Sequence, residues 1–363
     1  MSRTSLEREI ARMIEAEGPM PLSRFMALAL GHPRHGYYMT RDPFGAKGDF
    51  TTAPEISQMF GEMLGVWAMS QWQAMGAPAE FHLIELGPGR GTLMMDLLRA
   101  ARVMPDFLAA AHLHLIEMSP TLRAAQARML EAAALKPQWH ADVDDVPEGP
   151  SLIIANEFFD ALPIRQIERT AHGFFERAVG LDANGALCLG LLPMAVSVPD
   201  HALAGEPGAI VELAEAAADY AARIARRFAA HPGAMLIIDY GHGKSATGDT
   251  LQAVRRHEKA GVLERPGETD ITAHVDFEAL ARAFRAGGAQ AYGLLSQQEL
   301  LRRLGIETRA QMLSMNAGAR ERADVVAALG RLVGPHQMGQ LFKAMAVVSS
   351  GLAAPAAFSE PFP

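Results

Sequence analysis

The chain has 363 residues, which is enough for a large hydrophobic core and suggests about two domains. Apolar residues make up 49% and charged residues 20%, a composition typical of a globular soluble protein. The formal net charge is −8, from 33 basic and 41 acidic residues, and this acidic balance argues against a dedicated nucleic-acid-binding protein.

The sequence contains few signals for disulfides, metals or membranes. The single cysteine, Cys188, excludes an intrachain disulfide and disfavours a cysteine-based zinc site, and the histidine spacing matches no metal motif. No apolar run is long enough to span a membrane. The N-terminus lacks the apolar region of a signal peptide, and Glu7 and Glu9 argue against a transit peptide. We therefore expect a cytoplasmic protein without a membrane span or a metal.

The first 78 residues are predicted to form a helical region with one long loop. Apolar spacing predicts helices over 5–17, from Ser23 onwards and over 55–75. Between them, the loop at 31–55 is rich in glycine, proline and aromatic residues, which favours an ordered, functional lid. We treat 1–78 as one region and 79–363 as the core domain.

Residues 81–91, with the sequence FHLIELGPGRG, are the centre of the predicted core. An apolar strand ends at Glu85 and Leu86, a turn follows through Gly87, Gly89 and Gly91, and helical spacing begins after it. A strand, a glycine-rich turn and a helix N-terminus together favour a nucleotide-like ligand. The alternative is an ordinary strand–turn–helix connection, and the strict dinucleotide motif G-x-G-x-x-G is absent.

Strands and helices alternate along the core domain, which predicts an α/β fold with a parallel sheet. Seven strand-like runs are present, and the last one follows an irregular connection. Two insertions interrupt the alternation, a hairpin-like segment followed by a helix over 208–230 (together 164–230), and a glycine-rich segment at 241–274 with a short helix near 250–260.

Four polar residues follow predicted strands, and their side chains should line one crevice at the carboxyl end of the sheet. They are Glu85, Glu117, Asn156 and Asp239. Glu117 ends the second strand, where a carboxylate can accept two hydroxyl groups of a ribose; the alternative is a solvated residue at a strand end.

An acidic group follows the fourth strand at Asn156, Glu157 and Asp160. Carboxylates there could hold a cationic acceptor such as a guanidinium, because the two groups pair through two hydrogen bonds. Alternatively, Asn156 and Asp160 cap the loop or the next helix.

Several longer stretches resemble the MidA-like family of class I methyltransferases that use S-adenosylmethionine. These stretches occur in the family's order over nearly the whole chain, and they include GDFTTAPE (48–55), IELGPGRG (84–91), IEMSP (116–120), NEFFDALP (156–163) and IIDYG (237–241). The resemblance implies a seven-stranded, Rossmann-like sheet with helices on both faces and an antiparallel last strand.

The resemblance also implies roles for individual residues. Gly87, Gly89 and Gly91 would surround the methionine part of the cofactor, with Glu117 on the ribose and Asn156 and Glu157 beside the sulfonium methyl. The loop from Asp49 to Glu55 would close over the cofactor or form part of the acceptor entrance. One departure is Met118, which replaces a small residue in many relatives and should alter the packing of adenine.

The family includes a mitochondrial protein-arginine methyltransferase that assists assembly of respiratory complex I. By resemblance, we expect methyl transfer to arginine of a protein acceptor, for instance a complex I subunit, with S-adenosylhomocysteine as product and Glu157 or Asp160 holding the guanidinium. Two alternatives remain, a non-catalytic assembly factor that binds the cofactor and an NAD-dependent oxidoreductase. The oligomeric state is not fixed by the sequence.

Overall fold

The structure is a computed structural model that describes residues 3–41, 52–199 and 206–363. The chain forms two compact units, each assembled from three segments. The first unit comprises Met1–Pro43, Phe159–Asp219 and His242–Ala279, and the second comprises Phe44–Phe158, Tyr220–Gly241 and Leu280–Pro363. These limits differ from the sequence-based division after residue 78, and that division into an N-terminal region and a core domain stays a prediction.

The second unit contains the predicted core sheet. Its strands in chain order are β1 (Phe81–Leu86), β2 (Ala111–Ile116), β3 (Gln138–His140), β4 (Ser151–Asn156), β5 (Gly233–His242), β6 (Gln290–Ser296) and β7 (Phe342–Val348). They lie in the order β6-β7-β5-β4-β1-β2-β3. Strands β1 to β5 pair in parallel, whereas β7 is antiparallel to both β5 and β6. The predicted α/β fold with an antiparallel last strand is confirmed.

Strands β1 and β4 lie side by side at the centre of this sheet. Leu152, Ile153 and Ile154 of β4 are completely buried, as expected for a central parallel strand that is covered on both faces. Leu86 of β1 pairs with Ala155 of β4, so the two strands end at the same level. The residues that follow them therefore meet at one edge of the sheet.

Helices connect the strands of this unit. They span Ala53–Ile56, Gln58–Ala74, Thr92–Ala100, Pro105–Ala110, Pro120–Met129, Gln297–Arg303, Ile306–Met315, Ala319–Val333 and Met338–Leu341, with 3₁₀ turns at Ala101–Val103 and Val143–Asp145. Two further helices, Glu215–Ala230 and Phe277–Ala286, contain residues of both units.

The first unit is built from the N-terminal helices and the two insertions. Its helices span Ser5–Glu17, Leu22–Gly31 and Tyr37–Thr40. One antiparallel sheet contains Met20–Pro21, Arg165–Thr170, Gly173–Leu181, Leu187–Ala195 and Ile210–Leu213. A second antiparallel sheet contains Gln252–Arg255, Glu258–Ala260 and Asp270–Thr272, and the strand Val275–Asp276 follows it in the chain.

Two predicted helices in the insertions differ from the structure, one at its start and the other entirely. The helix expected from residue 208 begins only at Glu215, because Ile210–Leu213 forms a strand that pairs with Arg165–Thr170. The short helix expected near 250–260 is instead a hairpin of Gln252–Arg255 and Glu258–Ala260. In both cases the segment forms a strand because it pairs with another strand, and the local pattern of apolar residues does not indicate that pairing.

Within the three described ranges, no helix combines the length and the apolar character needed to cross a membrane.

Candidate functional site

A cavity lies at the carboxyl ends of β1 and β4 and encloses about 400 Å³ of space, part of it open to solvent. Five of the predicted site residues line it, namely Glu85, Gly87, Gly89, Asn156 and Glu157. Its other lining residues are Thr52, Pro54, Glu55, Pro88, Arg90, Thr92 and Leu93. The structure therefore brings together the end of β1, the glycine-rich turn and the residues after β4.

The glycine-rich turn has a backbone that only glycine adopts easily. The φ angles of Gly87, Gly89 and Gly91 are 61°, 54° and 86°, all in the left-handed region. Gly91 is the N-cap of the helix Thr92–Ala100, so the first amide groups of that helix follow the turn directly. A Cβ on Gly87 would lie 3.0 Å from the ring of Phe158. The turn thus combines close packing with a helix N-terminus that favours a polar ligand.

Glu85 places a buried, unpaired carboxylate oxygen at the cavity. The residue is 3% exposed, and its Oε2 has no hydrogen-bond partner among the described residues. Burial raises the pKa of Glu85 from 4.5 to about 8. Oδ1 of Asn156 is likewise buried without a partner. Such acceptors are costly in a folded protein, so this cavity fits a ligand that donates N–H or O–H groups.

Glu117 is not among the residues that line the cavity, but it is connected to the glycine-rich turn through hydrogen bonds. Its Oε1 accepts a hydrogen bond from the backbone N–H of Ser119 (2.7 Å), and its Oε2 accepts one from Nε2 of Gln126 (3.2 Å). The same Nε2 donates to the carbonyl of Gly89 (2.7 Å). Burial raises the pKa of Glu117, and the Ser119 and Gln126 hydrogen bonds counter this rise. Gln126 therefore connects the end of β2 to the turn.

Glu157 has an unusual backbone at the end of β4. Its φ angle is 51°, a conformation that costs a residue with a side chain about 1 kcal/mol or more. Its N–H donates to the carbonyl of Ile238 in β5 (2.9 Å), which fixes this backbone. Its Oε1 accepts from Nδ2 of Asn156 (3.2 Å) and from the N–H of Ala53 (3.4 Å). The carboxylate is thus oriented at the cavity wall.

Three lining residues of chemical interest were not singled out as site residues from the sequence. Oε1 of Glu55 accepts a hydrogen bond from the Thr92 hydroxyl (2.5 Å), and its Oε2 pairs with Nη1 of Arg90 (3.4 Å). Thr92 occupies the sixth position of the glycine motif, where the dinucleotide pattern has glycine. This threonine in place of glycine could have marked Thr92 as a site residue. The sequence does not indicate its hydrogen-bond partner Glu55, which is distant along the chain.

Asp160, another predicted site residue, is not among the residues that line the cavity. Asp160 belongs to the first unit, where it is buried and its backbone carbonyl accepts a hydrogen bond from Ala273 N–H (3.0 Å). Asp160 and Asp270 both contribute to the raised pKa of Tyr38, after the effect of burial itself. Asp49 lies outside the described residues. The roles of both residues stay predictions.

Comparison with known proteins assigns this architecture to a family. Residues 63–295 match the family described as "Putative S-adenosyl-L-methionine-dependent methyltransferase". Two curated relatives are the mitochondrial protein arginine methyltransferase NDUFAF7 of Danio rerio and of Homo sapiens. The Danio rerio protein is 35% identical, and the alignment covers 95% of this chain and 87% of the relative. The Homo sapiens protein is 34% identical, and the alignment covers 95% of this chain and 83% of the relative. The chain belongs to this methyltransferase family.

A solved structure supports the same assignment. A superfamily member from Burkholderia thailandensis, bound to S-adenosyl-homocysteine, is 29% identical and matches 97% of this chain and 94% of its own with a TM-score of 0.86. The protein is a methyltransferase that depends on S-adenosylmethionine, as the sequence predicted.

The predicted cytoplasmic location was wrong, because the two curated relatives, which align with 95% of this chain, are mitochondrial proteins. The prediction used only the lack of a recognisable targeting signal near Glu7 and Glu9, and such a lack does not define a compartment.

The cavity residues fit the cofactor. The methionine part of S-adenosylmethionine has an ammonium group, and the unpaired Oε2 of Glu85 is a buried acceptor for such a donor. Gly87 and Gly89 line the cavity with left-handed φ angles, so the backbone of the turn is exposed to a ligand there.

Proposed function

We propose that the protein methylates arginine side chains of a protein acceptor. The observation that supports this proposal is the match to relatives named protein arginine methyltransferases, at 34–35% identity over 95% of the chain. A respiratory complex I subunit is the acceptor that we propose to test first, because the resemblance of the sequence motifs extends to a complex I assembly role.

We assign the cofactor to the cavity at the ends of β1 and β4. Glu85 would bind the ammonium group, and the turn through Gly87, Gly89 and Gly91 would enclose the methionine part. By the family resemblance, Glu117 would bind the ribose; its carboxylate accepts hydrogen bonds from Ser119, Met118 and Gln126, out of about four that a carboxylate can accept. Asn156 would lie beside the sulfonium, and Asp49 stays a cofactor-binding residue by resemblance alone.

The bound cofactor supplies a methyl group that is already activated by the positive charge on sulfur. The residues of the chain then have to align the acceptor and remove a proton from it. A guanidinium nitrogen that gains the methyl group must release one proton, since arginine is protonated at neutral pH. Glu157 is our first candidate to hold the guanidinium and accept that proton, because its carboxylate is oriented at the cavity. Asp160 is the second candidate.

The proposal is tested by transfer of a labelled methyl group from S-adenosylmethionine to purified complex I subunits. The label should appear on arginine, and peptides with lysine in place of the modified arginine should stay unlabelled. Replacement of Glu157 by glutamine should lower turnover by about a hundredfold while cofactor binding persists.

Two outcomes would contradict this proposal. Label on a residue other than arginine would keep the methyltransferase and reject the acceptor. Cofactor binding without transfer to any subunit would favour the non-catalytic assembly factor that the sequence left open.

A further inference from the structure

The helix Ala53–Ile56 is joined to the cavity wall at two points by carboxylates. Glu55, in its first turn, accepts a hydrogen bond from the Thr92 hydroxyl at 2.5 Å. At the N-terminal end of the helix, the N–H of Ala53 donates to Oε1 of Glu157 at 3.4 Å. One contact reaches the glycine-rich turn and the other reaches the end of β4.

Glu55 contacts the two polar side chains on either side of Gly91. Thr92 and Arg90 both line the cavity, and each directs a donor to one oxygen of the same carboxylate. The side chain of Glu55 is 18% exposed and that of Arg90 is 28% exposed. A short hydrogen bond to an ionised acceptor in partly buried surroundings is stronger than one between neutral groups.

The direction of the Thr92 hydrogen bond has a chemical consequence. Because the hydroxyl proton is donated to Glu55, the oxygen of Thr92 keeps its lone pairs for a donor on another side. Thr92 is also the first residue of the helix that begins after Gly91, so fixing its side chain helps to fix the start of that helix. The glycines of the turn have no side chains with which to do this.

We propose that Glu55 is a positioning residue for cofactor binding, which acts by orienting Thr92 and Arg90 at the glycine-rich turn. It is not a catalytic residue, because it acts through these two side chains. The proposal rests on the assignment of the cavity to the cofactor; its calorimetric test needs no methyl acceptor, and only its kinetic control uses one.

A double-mutant cycle tests the proposal in the full chain, with S-adenosylmethionine as titrant in a calorimeter. Glu55→Ala and Thr92→Val should each weaken binding by about tenfold, as expected for loss of one charge-assisted hydrogen bond. The double variant should bind no more weakly than the weaker single variant, because both changes remove the same hydrogen bond. Thr92→Ser keeps the hydroxyl and should bind like the original protein.

The controls separate positioning from general structure. Glu17→Gln removes an exposed carboxylate that pairs with Arg24, and it should leave cofactor binding unchanged. The KM for the cofactor should rise in Glu55→Ala while kcat stays within about twofold. Effects of Glu55→Ala and Thr92→Val that multiply in the double variant, or a loss of kcat alone, would overturn the positioning role.

The underlying cavity assignment has its own control. Gly89→Val forces a side chain on a residue with a φ angle of 54° and should abolish binding. If this variant binds normally, the assignment of the cavity is wrong. If it loses binding while the Glu55 and Thr92 effects are independent, only the positioning role is wrong.

Discussion

Glu85 has a buried carboxylate whose pKa in the folded protein is raised from 4.5 to about 8. Between these two pH values the folded protein retains a proton that the unfolded chain releases. The stability associated with that proton is therefore complete below pH 4.5 and is lost as the pH rises toward 8. The cofactor-free protein should become less stable over this range on account of Glu85.

The variant Glu85→Gln removes this pH dependence. Glutamine resembles the protonated acid, so we expect the cofactor-free variant to be more stable than the original protein at pH 8 by roughly 2–4 kcal/mol, with little difference at pH 4.5. Urea unfolding at the two pH values measures the effect, with the exposed Glu17→Gln as control. A stability difference that is the same at both pH values would contradict the prediction.

Gln126 offers a second prediction for a single residue. Its side chain is completely buried and joins Glu117, the carbonyl of Gly89 and the indole N–H of Trp139 (2.8 Å). Gln126→Ala leaves these groups without partners, which should lower the free energy of unfolding by about 2–3 kcal/mol and weaken cofactor binding. Unfolding and calorimetric titration measure both effects. Normal cofactor affinity in the variant would show that the turn does not need this connection.

Among the helices, Gln58–Ala74 packs closely on Thr92–Ala100 through glycine. A Cβ on Gly61 would lie 2.7 Å from Cβ of Asp96 and 2.8 Å from the carbonyl oxygen of Leu93. The variant Gly61→Ala should therefore separate the two helices and lower the free energy of unfolding by about 2–3 kcal/mol. Thermal unfolding and the urea midpoint give the size of the loss.

Gly330 provides the matched control for this change. It lies inside the helix Ala319–Val333, and apart from that helix's own backbone a Cβ there would meet no atom of the described residues within 4 Å. Gly330→Ala should increase stability by about 1 kcal/mol, because alanine favours the helix more than glycine does. Equal effects of the two substitutions would show that the contact with Asp96 and Leu93 is not tight.

The elements of the core sheet could be predicted from the sequence, because central parallel strands such as Ser151–Asn156 are apolar runs between helical patterns. The hairpin at 252–260 could not be predicted. Its two turn residues, Arg256 and His257, have φ angles of 55° and 62°, where glycine or asparagine is the usual signal.

In the candidate site, the glycine-rich turn and the ends of β1 and β4 could be predicted from the sequence. The contacts of Gln126 and of Glu55 with the turn could not, since they depend on pairs of residues 37 positions apart.

At the scale of the molecule, both units are assembled from separated segments of the chain. The second unit includes the helix Gln58–Ala74, whose Phe60, Leu64 and Trp67 are completely buried in the core cluster with the strands of the sheet. A division after residue 78 would remove this helix from the sheet that it covers. The cost would be large, since burial of each such side chain contributes about 1.5–3 kcal/mol.

The fragment 79–363 should therefore fail to fold alone. We expect it to unfold without a cooperative urea transition and to bind no S-adenosylmethionine, because it lacks Phe60, Leu64 and Trp67. Addition of the fragment 1–78 supplies the helix Gln58–Ala74 in trans and should restore part of the cofactor binding. If the fragment 79–363 instead shows a cooperative transition and binds the cofactor by itself, the core is independent of its N-terminal region and the sequence-based division after residue 78 is the better description.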